Sequence, residues 1–184
     1  VGGPDDALLF PHLHLALEYV EDRILAENRA GAPEDERPLD LGGIDLFSRL
    51  PEPVLAMLAE SVREREFRKG ETIFRQGEEG DAIFAIRRGE VRVRLPLEGG
   101  DHVHLTTFGR GDFFGDMSFI DGGKRSAEAV ASEDTAAYEL SQADFTRIAD
   151  SEPKLGWMLY SGLSRVLAIR LRHANAKLRA IEDA

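Results

Sequence analysis

The spacing of apolar residues divides the chain into a helical start, a middle made of short strands and a helical end. In the first part, Leu13, Leu17, Val20 and Ile24 recur at helical spacing. This pattern predicts an amphipathic helix over residues 11–29, because residues three and four positions apart share one face of a helix.

A segment with the composition of a linker, residues 28–41, follows this helix. It is rich in glycine, proline and acidic residues, which do not continue a helical pattern. Beyond it the apolar residues predict two short helices, over residues 44–50 and 53–62. Pro51 and Pro53 separate them and favour a break in the backbone between the two.

From residue 66 the apolar pattern becomes that of short strands. The stretch 91–95 alternates strictly between apolar and charged residues, which is typical of an antiparallel strand with one buried face. Further strands are predicted over residues 73–74, 83–86, 103–108, 127–131 and 135–140. Because no helical pattern interrupts them, we expect a mainly β protein with flanking helices, its strands forming an antiparallel sandwich or barrel.

Helical spacing returns after Ser141, which is a suitable N-cap with Asp144 three residues later. Ser151 is predicted to cap a long final helix that begins near Pro153. This helix has an apolar stripe formed by Tyr160, Leu163, Leu167, Leu171, Ala174, Leu178 and Ile181. The heptad-like spacing of its last five members leaves two interpretations open, packing against the strands or pairing with a second copy.

These patterns predict three segments, comprising residues 1–43, 44–150 and 151–184. The first is a helix with a linker, the second is the strand-rich body and the third is a lid or dimerisation helix. The chain begins Val1-Gly2-Gly3 without a methionine, so we expect it to be a piece of a larger protein.

Composition narrows the range of functions. The chain has 34 acidic and 23 basic residues and a net charge of −11, which argues against nucleic acid as a partner because phosphates would be repelled. It has no cysteine, which excludes disulfides and cysteine-ligated zinc and suits a reducing compartment such as the cytoplasm. Its longest apolar runs are far shorter than the roughly 20 residues of a membrane span.

The chemistry is concentrated in FFGDMSFIDGGKRSAEAV, residues 113–130. Gly115 permits a close backbone approach, and Asp116 begins a predicted helical turn whose free N–H groups suit an anion. Arg125 and Ser126 follow at the start of the next strand. Carboxylates accept hydrogen bonds from sugar hydroxyls, and guanidinium groups match phosphate oxygens. The segment therefore indicates a small ligand that carries a ribose and one phosphate.

Together with KGETIFRQGEEGDAIFAIRRGEVRV (69–93), this segment resembles the cyclic-nucleotide-binding domain family. That family includes catabolite-activator-type regulators, the regulatory subunits of cyclic-nucleotide-dependent kinases and the cytosolic domains of gated channels. The resemblance covers residues 44–180. It implies an eight-stranded, jelly-roll-like β-roll, a short phosphate-binding-cassette helix and a C-terminal helix that closes over the base.

The resemblance also implies roles for individual residues. Arg125 would pair with the cyclic phosphate, with Ser126 and Ala127 as the small pair after it, while Gly115 and Asp116 would contact the ribose 2′-hydroxyl. The predicted ligand-binding residues are Phe114, Gly115, Asp116, Met117, Ser118, Arg125, Ser126 and Ala127. Asp116 departs from the family glutamate by one methylene, and a lost bond to this charged acceptor would cost about 1.5–3 kcal/mol.

The function implied is a regulatory sensor that binds a 3′,5′-cyclic nucleotide, cAMP rather than cGMP, without catalysis and without a cofactor. The alternative is a degenerate β-roll that serves as a ligand-free dimerisation or interaction module. The segment LHLALEYVEDRILAE (13–27) is similar to the last helix of STAS domains in bacterial SulP-type anion transporters. That similarity implies that the domain lies on the cytosolic face of such a transporter.

A cupin-like metalloenzyme is the last alternative. His102 and His104 lie two residues apart on a predicted strand, which places both imidazoles on one face. Residues 106–109 offer no carboxylate ligand, and His173 falls in the final helix. The sequence therefore predicts no metal site.

Overall fold

The computed structural model describes residues 37–97, 99 and 101–182. The helix expected over residues 11–29, which includes the STAS-like segment, lies outside these residues. Of the predicted stripe on the final helix, the side chains of Ala174, Leu178 and Ile181 are also outside the description.

Within the described residues the chain forms eight strands. They are β1 (Arg63–Phe67), β2 (Thr72–Phe74), β3 (Ala82–Arg88), β4 (Val91–Pro96), β5 (His102–Phe108), β6 (Phe113–Phe114), β7 (Glu128–Ala131) and β8 (Thr135–Ser141). The strands pair antiparallel in two four-stranded sheets, with the orders β1-β8-β3-β6 and β2-β7-β4-β5. The mainly β class with an antiparallel roll is confirmed.

The helices flank this roll. They are α1 (Glu52–Ala59), α2 (Asp116–Asp121), α3 (Gln142–Ser151) and α4 (Pro153–Glu182), with a short 3-10 turn at Leu41–Gly43. No helix in the described ranges combines the length and the apolar character needed to cross a membrane.

Two groups of buried side chains hold the molecule together. The first lies inside the roll and includes Phe67, Phe84, Ile86, Val91, Phe114 and Ala129. The second lies between the helices and the outer face of the sheet and includes Ile44, Phe47, Leu58, Phe145, Leu159 and Leu163. Because β3 and β6 supply alternate residues to both groups, the roll and the helices are packed on opposite faces of one sheet.

β1 was not predicted from the sequence. Four of its five residues are charged and exposed, and only Phe67 is buried. It lies at one edge of its sheet, and among the described strands it pairs with β8. Charged residues are common on edge strands because they discourage pairing with other chains. Since they fill four of the five positions of β1, the sequence shows no alternation of apolar and polar residues there.

The helix predicted over residues 44–50 is wrong, because the segment forms consecutive turns instead. Phe47 N–H donates to Ile44 O and Leu50 N–H donates to Phe47 O, both over three residues. A single bond spans four residues, from Ser48 N–H to Ile44 O, and Asp45 N–H donates to Gly111 O of a distant loop. The apolar residues of this segment are buried, so packing rather than helix formation explains the spacing.

The ends of α3 confirm one capping prediction and correct another. Ser141 Oγ accepts a hydrogen bond from Asp144 N–H at 3.0 Å, as an N-cap does. Ser151, predicted to cap the long helix, is instead the last residue of α3 and donates to Ile148 O. The first intrahelical bonds of α4 are accepted by Glu152 O, so α4 begins at Pro153 without help from Ser151.

Candidate functional site

A cavity of about 490 Å³ lies between the inner face of the roll, α2 and the middle of α4. All eight residues predicted from the sequence line it, namely Phe114, Gly115, Asp116, Met117, Ser118, Arg125, Ser126 and Ala127. The remaining lining residues are Phe74, Val93, Leu105, Thr106, Phe108, Leu167, Arg170 and Leu171. Folding therefore brings the predicted residues together around one space, where their role in binding stays a prediction.

Gly115 forms the corner where β6 ends and α2 begins. Its φ of 82° lies in the left-handed region that favours glycine. A Cβ atom there would lie 2.7 Å from Arg125 Nη1 and 3.0 Å from Ala82 O. Glycine is therefore needed at this corner for both its dihedral angle and its small size.

Arg125 is buried at the floor of the cavity with 6% of its surface exposed. Its Nη1 donates to Gly115 O at 3.0 Å and to Ser118 Oγ at 2.8 Å. The guanidinium carbon lies 4.2 Å from the centre of the Phe74 ring and 5.8 Å from that of Phe84. These contacts hold the guanidinium plane in a defined orientation.

Within the ranges that the structure describes, the charge of Arg125 has no close counterion. No carboxylate of the described residues lies within ion-pair distance of it, and its buried Nε has no hydrogen-bond partner. Burial lowers the pKa of Arg125, while the more distant Asp81, Glu78 and Glu139 act in the opposite direction. An arginine side chain stays protonated under ordinary conditions. The cavity floor therefore carries a buried positive charge that a bound anion would neutralise.

Asp116, the first residue of α2, is also buried, but it has a partner. Arg170 Nη1 of α4 donates to Asp116 Oδ2 at 2.9 Å. The charge of Arg170 also acts on a second carboxyl, that of Asp112. Burial raises the pKa of Asp112 above its ordinary value, and the hydrogen bond from Gly109 N–H and the charge of Arg170 offset part of this rise. Sequence reasoning missed Arg170, because this residue lies 54 residues from Asp116 and is one of several arginines in α4.

Three other residues with suitable chemistry, Lys124, Trp157 and Tyr160, do not line the cavity. Lys124 is exposed, and its Nζ lies 4.0 Å from Glu79 Oε1. Trp157 and Tyr160 have rings that could stack on a base, but Trp157 is 70% exposed and Tyr160 packs edge-on against Phe145. The aliphatic Leu167 and Leu171 of the predicted stripe are the α4 residues that lie there with Arg170.

The two histidines of β5 have separate partners. His102 Nε2 lies 3.7 Å from Glu128 Oε2, and His104 Nε2 lies 2.9 Å from Thr107 Oγ1. In the part of the chain that the structure describes, no three histidine or acidic side chains are grouped as a metal ion requires.

Comparison with known proteins bears directly on this site. Residues 64–152, from β1 to the end of α3, match the family model described as the cyclic nucleotide-binding domain. This segment of the chain is a domain of the cyclic nucleotide-binding family. The match includes the corner at Gly115, the helix α2 and Arg125, and it confirms the resemblance seen in the sequence.

Relatives of the domain occur in proteins of different kinds. The cyclic AMP receptor protein of Thermus thermophilus is 34% identical over 136 residues, which cover 74% of this chain and 61% of that protein. Glutaminase 1 of Bradyrhizobium diazoefficiens is 32% identical over 166 residues, or 90% of this chain and 26% of that protein. The chain thus spans only part of the length of these relatives.

The fold of the domain is shared with a solved cyclic nucleotide-binding domain from Methylobacillus flagellatus. The two superpose with a TM-score of 0.69 at 26% identity, over 79% of this chain and 82% of that structure. The β-roll and its flanking helices are therefore those of a cyclic nucleotide-binding regulatory domain.

Proposed function

We propose that this chain is a regulatory sensor whose cavity binds a 3′,5′-cyclic nucleotide, cAMP in preference to cGMP, without catalysis of its own. The observation that carries the proposal is Arg125, a buried guanidinium with an unpartnered Nε and no carboxylate of the described residues in contact. A cyclic phosphate would supply both a hydrogen-bond acceptor for Nε and a negative charge that neutralises the guanidinium.

The rest of the cavity suits the other parts of the ligand. Its volume of about 490 Å³ falls in the range of roughly 300–1,000 Å³ that is typical of small-molecule sites. Asp116 would accept a ribose hydroxyl, and the aliphatic side chains of Val93, Leu105 and Leu171 would pack against the base. The preference for cAMP is supported by the similarity to the Thermus receptor for that nucleotide.

We propose that α4 transmits occupancy of the cavity to the rest of the protein. Leu167, Arg170 and Leu171 face the space from one side, so a ligand that contacts them binds the docked helix more tightly than an undocked one. A ligand shifts a conformational equilibrium only through such a difference in affinity.

Thermal unfolding with added nucleotide tests the proposal. Ligand at a hundred times its dissociation constant stabilises the folded state by about 2.7 kcal/mol, which corresponds to a rise in Tm of about 5–10 °C for a domain of this size. We expect the largest shift with cAMP and a smaller one with cGMP. 5′-AMP, which has an open phosphate with more negative charge, is the control and is expected to give almost none. Equal Tm values with and without every cyclic nucleotide at millimolar concentration would favour the ligand-free module instead.

A methyl group at Gly80 should weaken cAMP binding by about tenfold or more. A Cβ atom there would lie 2.6 Å from Ser118 Oγ and 2.7 Å from Arg125 Cδ, so the arginine must leave its position. Overpacking of this kind costs about 1–3 kcal/mol. Titration calorimetry of Gly80→Ala measures the effect. Gly109→Ala is the matched control, because a Cβ atom at Gly109 meets open space. Unchanged affinity in Gly80→Ala would mean that the position of Arg125 is unimportant.

We propose that the larger protein places this sensor in the cytosol beside an effector. The similarity of residues 13–27 to a STAS helix favours a SulP-type anion transporter. The match to glutaminase 1, which covers 90% of this chain, favours an enzyme as the effector. The coding sequence upstream of Val1 distinguishes the two, since membrane-spanning segments support the transporter and a glutaminase-like domain supports the enzyme.

We also propose that two copies associate through α4. The exposed aromatic side chains of Trp157 and Tyr160 lie one helical turn apart on it, and exposed apolar residues at such spacing favour helix pairing. Sedimentation velocity at micromolar concentration should therefore detect a dimer in the wild-type protein. A monomer at every concentration would contradict this part of the proposal.

A further inference from the structure

Arg170 connects three parts of the molecule at the wall of the cavity. Its guanidinium carbon lies 4.5 Å from the ring centre of Phe108 on β5 and 4.4 Å from that of Phe113 on β6. Nη2 donates to Phe113 O, and Nη1 donates to Asp116 Oδ2 at 2.9 Å. One side chain of α4 is thus bound to two strands and to the first residue of α2.

The position of Arg170 along α4 makes these contacts important for the attachment of the helix to the roll. The N-terminal half of the helix is attached by Leu155, Leu159 and Leu163, which are almost fully buried. Leu171, by contrast, is 63% exposed. Among the described side chains of the half of α4 that faces the cavity, Arg170 makes polar and stacking contacts with the roll, and such contacts can be broken at lower cost than a packed core.

Asp116 has spare hydrogen-bonding capacity beside this pair. Its side chain is 11% exposed, and Oδ2 accepts from Arg170. Within the described residues Oδ1 accepts no hydrogen bond, whereas a carboxylate has two acceptor oxygens. A buried carboxylate needs a partner, and the contact with Arg170 holds Asp116 in one orientation with one oxygen left for a ligand.

We infer that Arg170 is a positioning residue that couples the docking of α4 to recognition of the ligand's ribose hydroxyl through the two oxygens of Asp116. The inference rests on the proposed function and deepens it. The hydroxyl and the guanidinium bind different oxygens of one carboxylate, and each holds it in the orientation that the other needs. Because coupling between two sites is reciprocal, a ligand with a ribose hydroxyl tightens the docking of α4, and docked α4 tightens binding of that ligand.

The first test compares cAMP with its 2′-deoxy analogue by titration calorimetry. We expect the wild-type protein to prefer cAMP by about tenfold, the effect of one hydrogen bond to a charged acceptor. Arg170→Gln should weaken cAMP binding about tenfold and bring the ratio of the two dissociation constants close to one. Arg170→Lys should restore part of the ratio. Arg165→Gln, an exposed arginine on the same helix, is the control and should leave both constants unchanged within about twofold.

Two results of this test would overturn the inference. If Arg170→Gln binds cAMP more tightly, the arginine competes with the ligand for Asp116 and does not position it. If both ligands weaken equally and their ratio is kept, Arg170 has only a structural role.

The second test uses no ligand, so it separates this inference from the proposed function. Amide hydrogen exchange is followed over residues 164–172 in the wild type, Arg170→Gln, Asp116→Asn and the double variant. We expect Asp116→Asn to speed exchange about tenfold, and Arg170→Gln to speed it at least as much, because this variant also loses the contacts with Phe108 and Phe113. The double variant should add little to Arg170→Gln, because the contact with Asp116 is already lost there. Unchanged exchange in the single variants would overturn the coupling even if cAMP binds. Faster exchange in a protein that binds no nucleotide would refute the proposed function while supporting the link between Asp116 and α4.

Discussion

Arg125→Gln should abolish the thermal shift produced by cAMP and weaken binding by about 100-fold or more. The guanidinium is the group expected to hold the cyclic phosphate, and each hydrogen bond between charged groups contributes about 1.5–3 kcal/mol, so loss of two exceeds two orders of magnitude in affinity. Titration calorimetry of the variant with cAMP measures this loss directly.

The same variant should leave the ligand-free protein folded. Arg125 is buried without a carboxylate partner among the described residues, and removal of an uncompensated charge offsets the loss of its contacts with Gly115 and Ser118. We expect its free energy of unfolding to differ from the wild type by no more than about 1 kcal/mol. Lys124→Gln is the matched control, because Lys124 is the exposed neighbouring cation. If Lys124→Gln lost binding and Arg125→Gln kept it, the anion site would lie outside the cavity.

Leu163→Ala should lower the free energy of unfolding by about 2–5 kcal/mol, the range for deletion of a fully buried leucine side chain. Leu163 is 2% exposed and packs in the cluster between the helices and the sheet. Its loss leaves a cavity under α4 that the surrounding helices cannot fully close. Urea unfolding followed by circular dichroism gives the change in free energy.

Leu171→Ala provides the comparison on the same helix with the same change of side chain. Leu171 is 63% exposed, so its truncation in the ligand-free protein should change the free energy of unfolding by about 0.5 kcal/mol or less. Similar large losses in both variants would mean that α4 packs with a different face toward the sheet.

These two leucines show a limit of the sequence pattern. Leu163 and Leu171 belong to one apolar stripe in the sequence, yet the first is buried and the second is exposed at the mouth of the cavity. Periodicity identifies the face of a helix. How far along that face the neighbouring elements reach depends on the shape of the roll, which no local pattern contains.

The coupling between Asp116 and Arg170 would also explain how a shorter acidic residue is accommodated. Aspartate reaches one methylene less far than glutamate, and the fixed position of its carboxylate on Arg170 removes part of the conformational freedom that a ligand would otherwise have to restrict. The chain as a whole is acidic, with a net charge of −11, but the cavity expected to receive an anion is lined by two arginines, the buried Arg125 and the half-buried Arg170.

The sequence by itself determined the mainly β architecture, most of the strands and eight of the residues that line the cavity. Strict alternation is visible in Val91–Leu95, and the cassette from Phe113 to Ala127 is nearly contiguous, so its turn, helix and arginine are read directly from neighbouring positions. Such features depend on dihedral preferences and local spacing, which each segment of the chain carries with it.

Only the tertiary structure decided which groups meet across the cavity. The edge strand β1, the turns at 44–50 and the pair between Asp116 and Arg170 all depend on contacts between segments far apart in the chain. Burial likewise turned Arg125 from an ordinary charged residue at a strand start into a guanidinium with no close counterion in the described part of the chain. The physical reason is that burial and pairing are properties of the packed surfaces, and a sequence shows them only after its distant segments have been brought together.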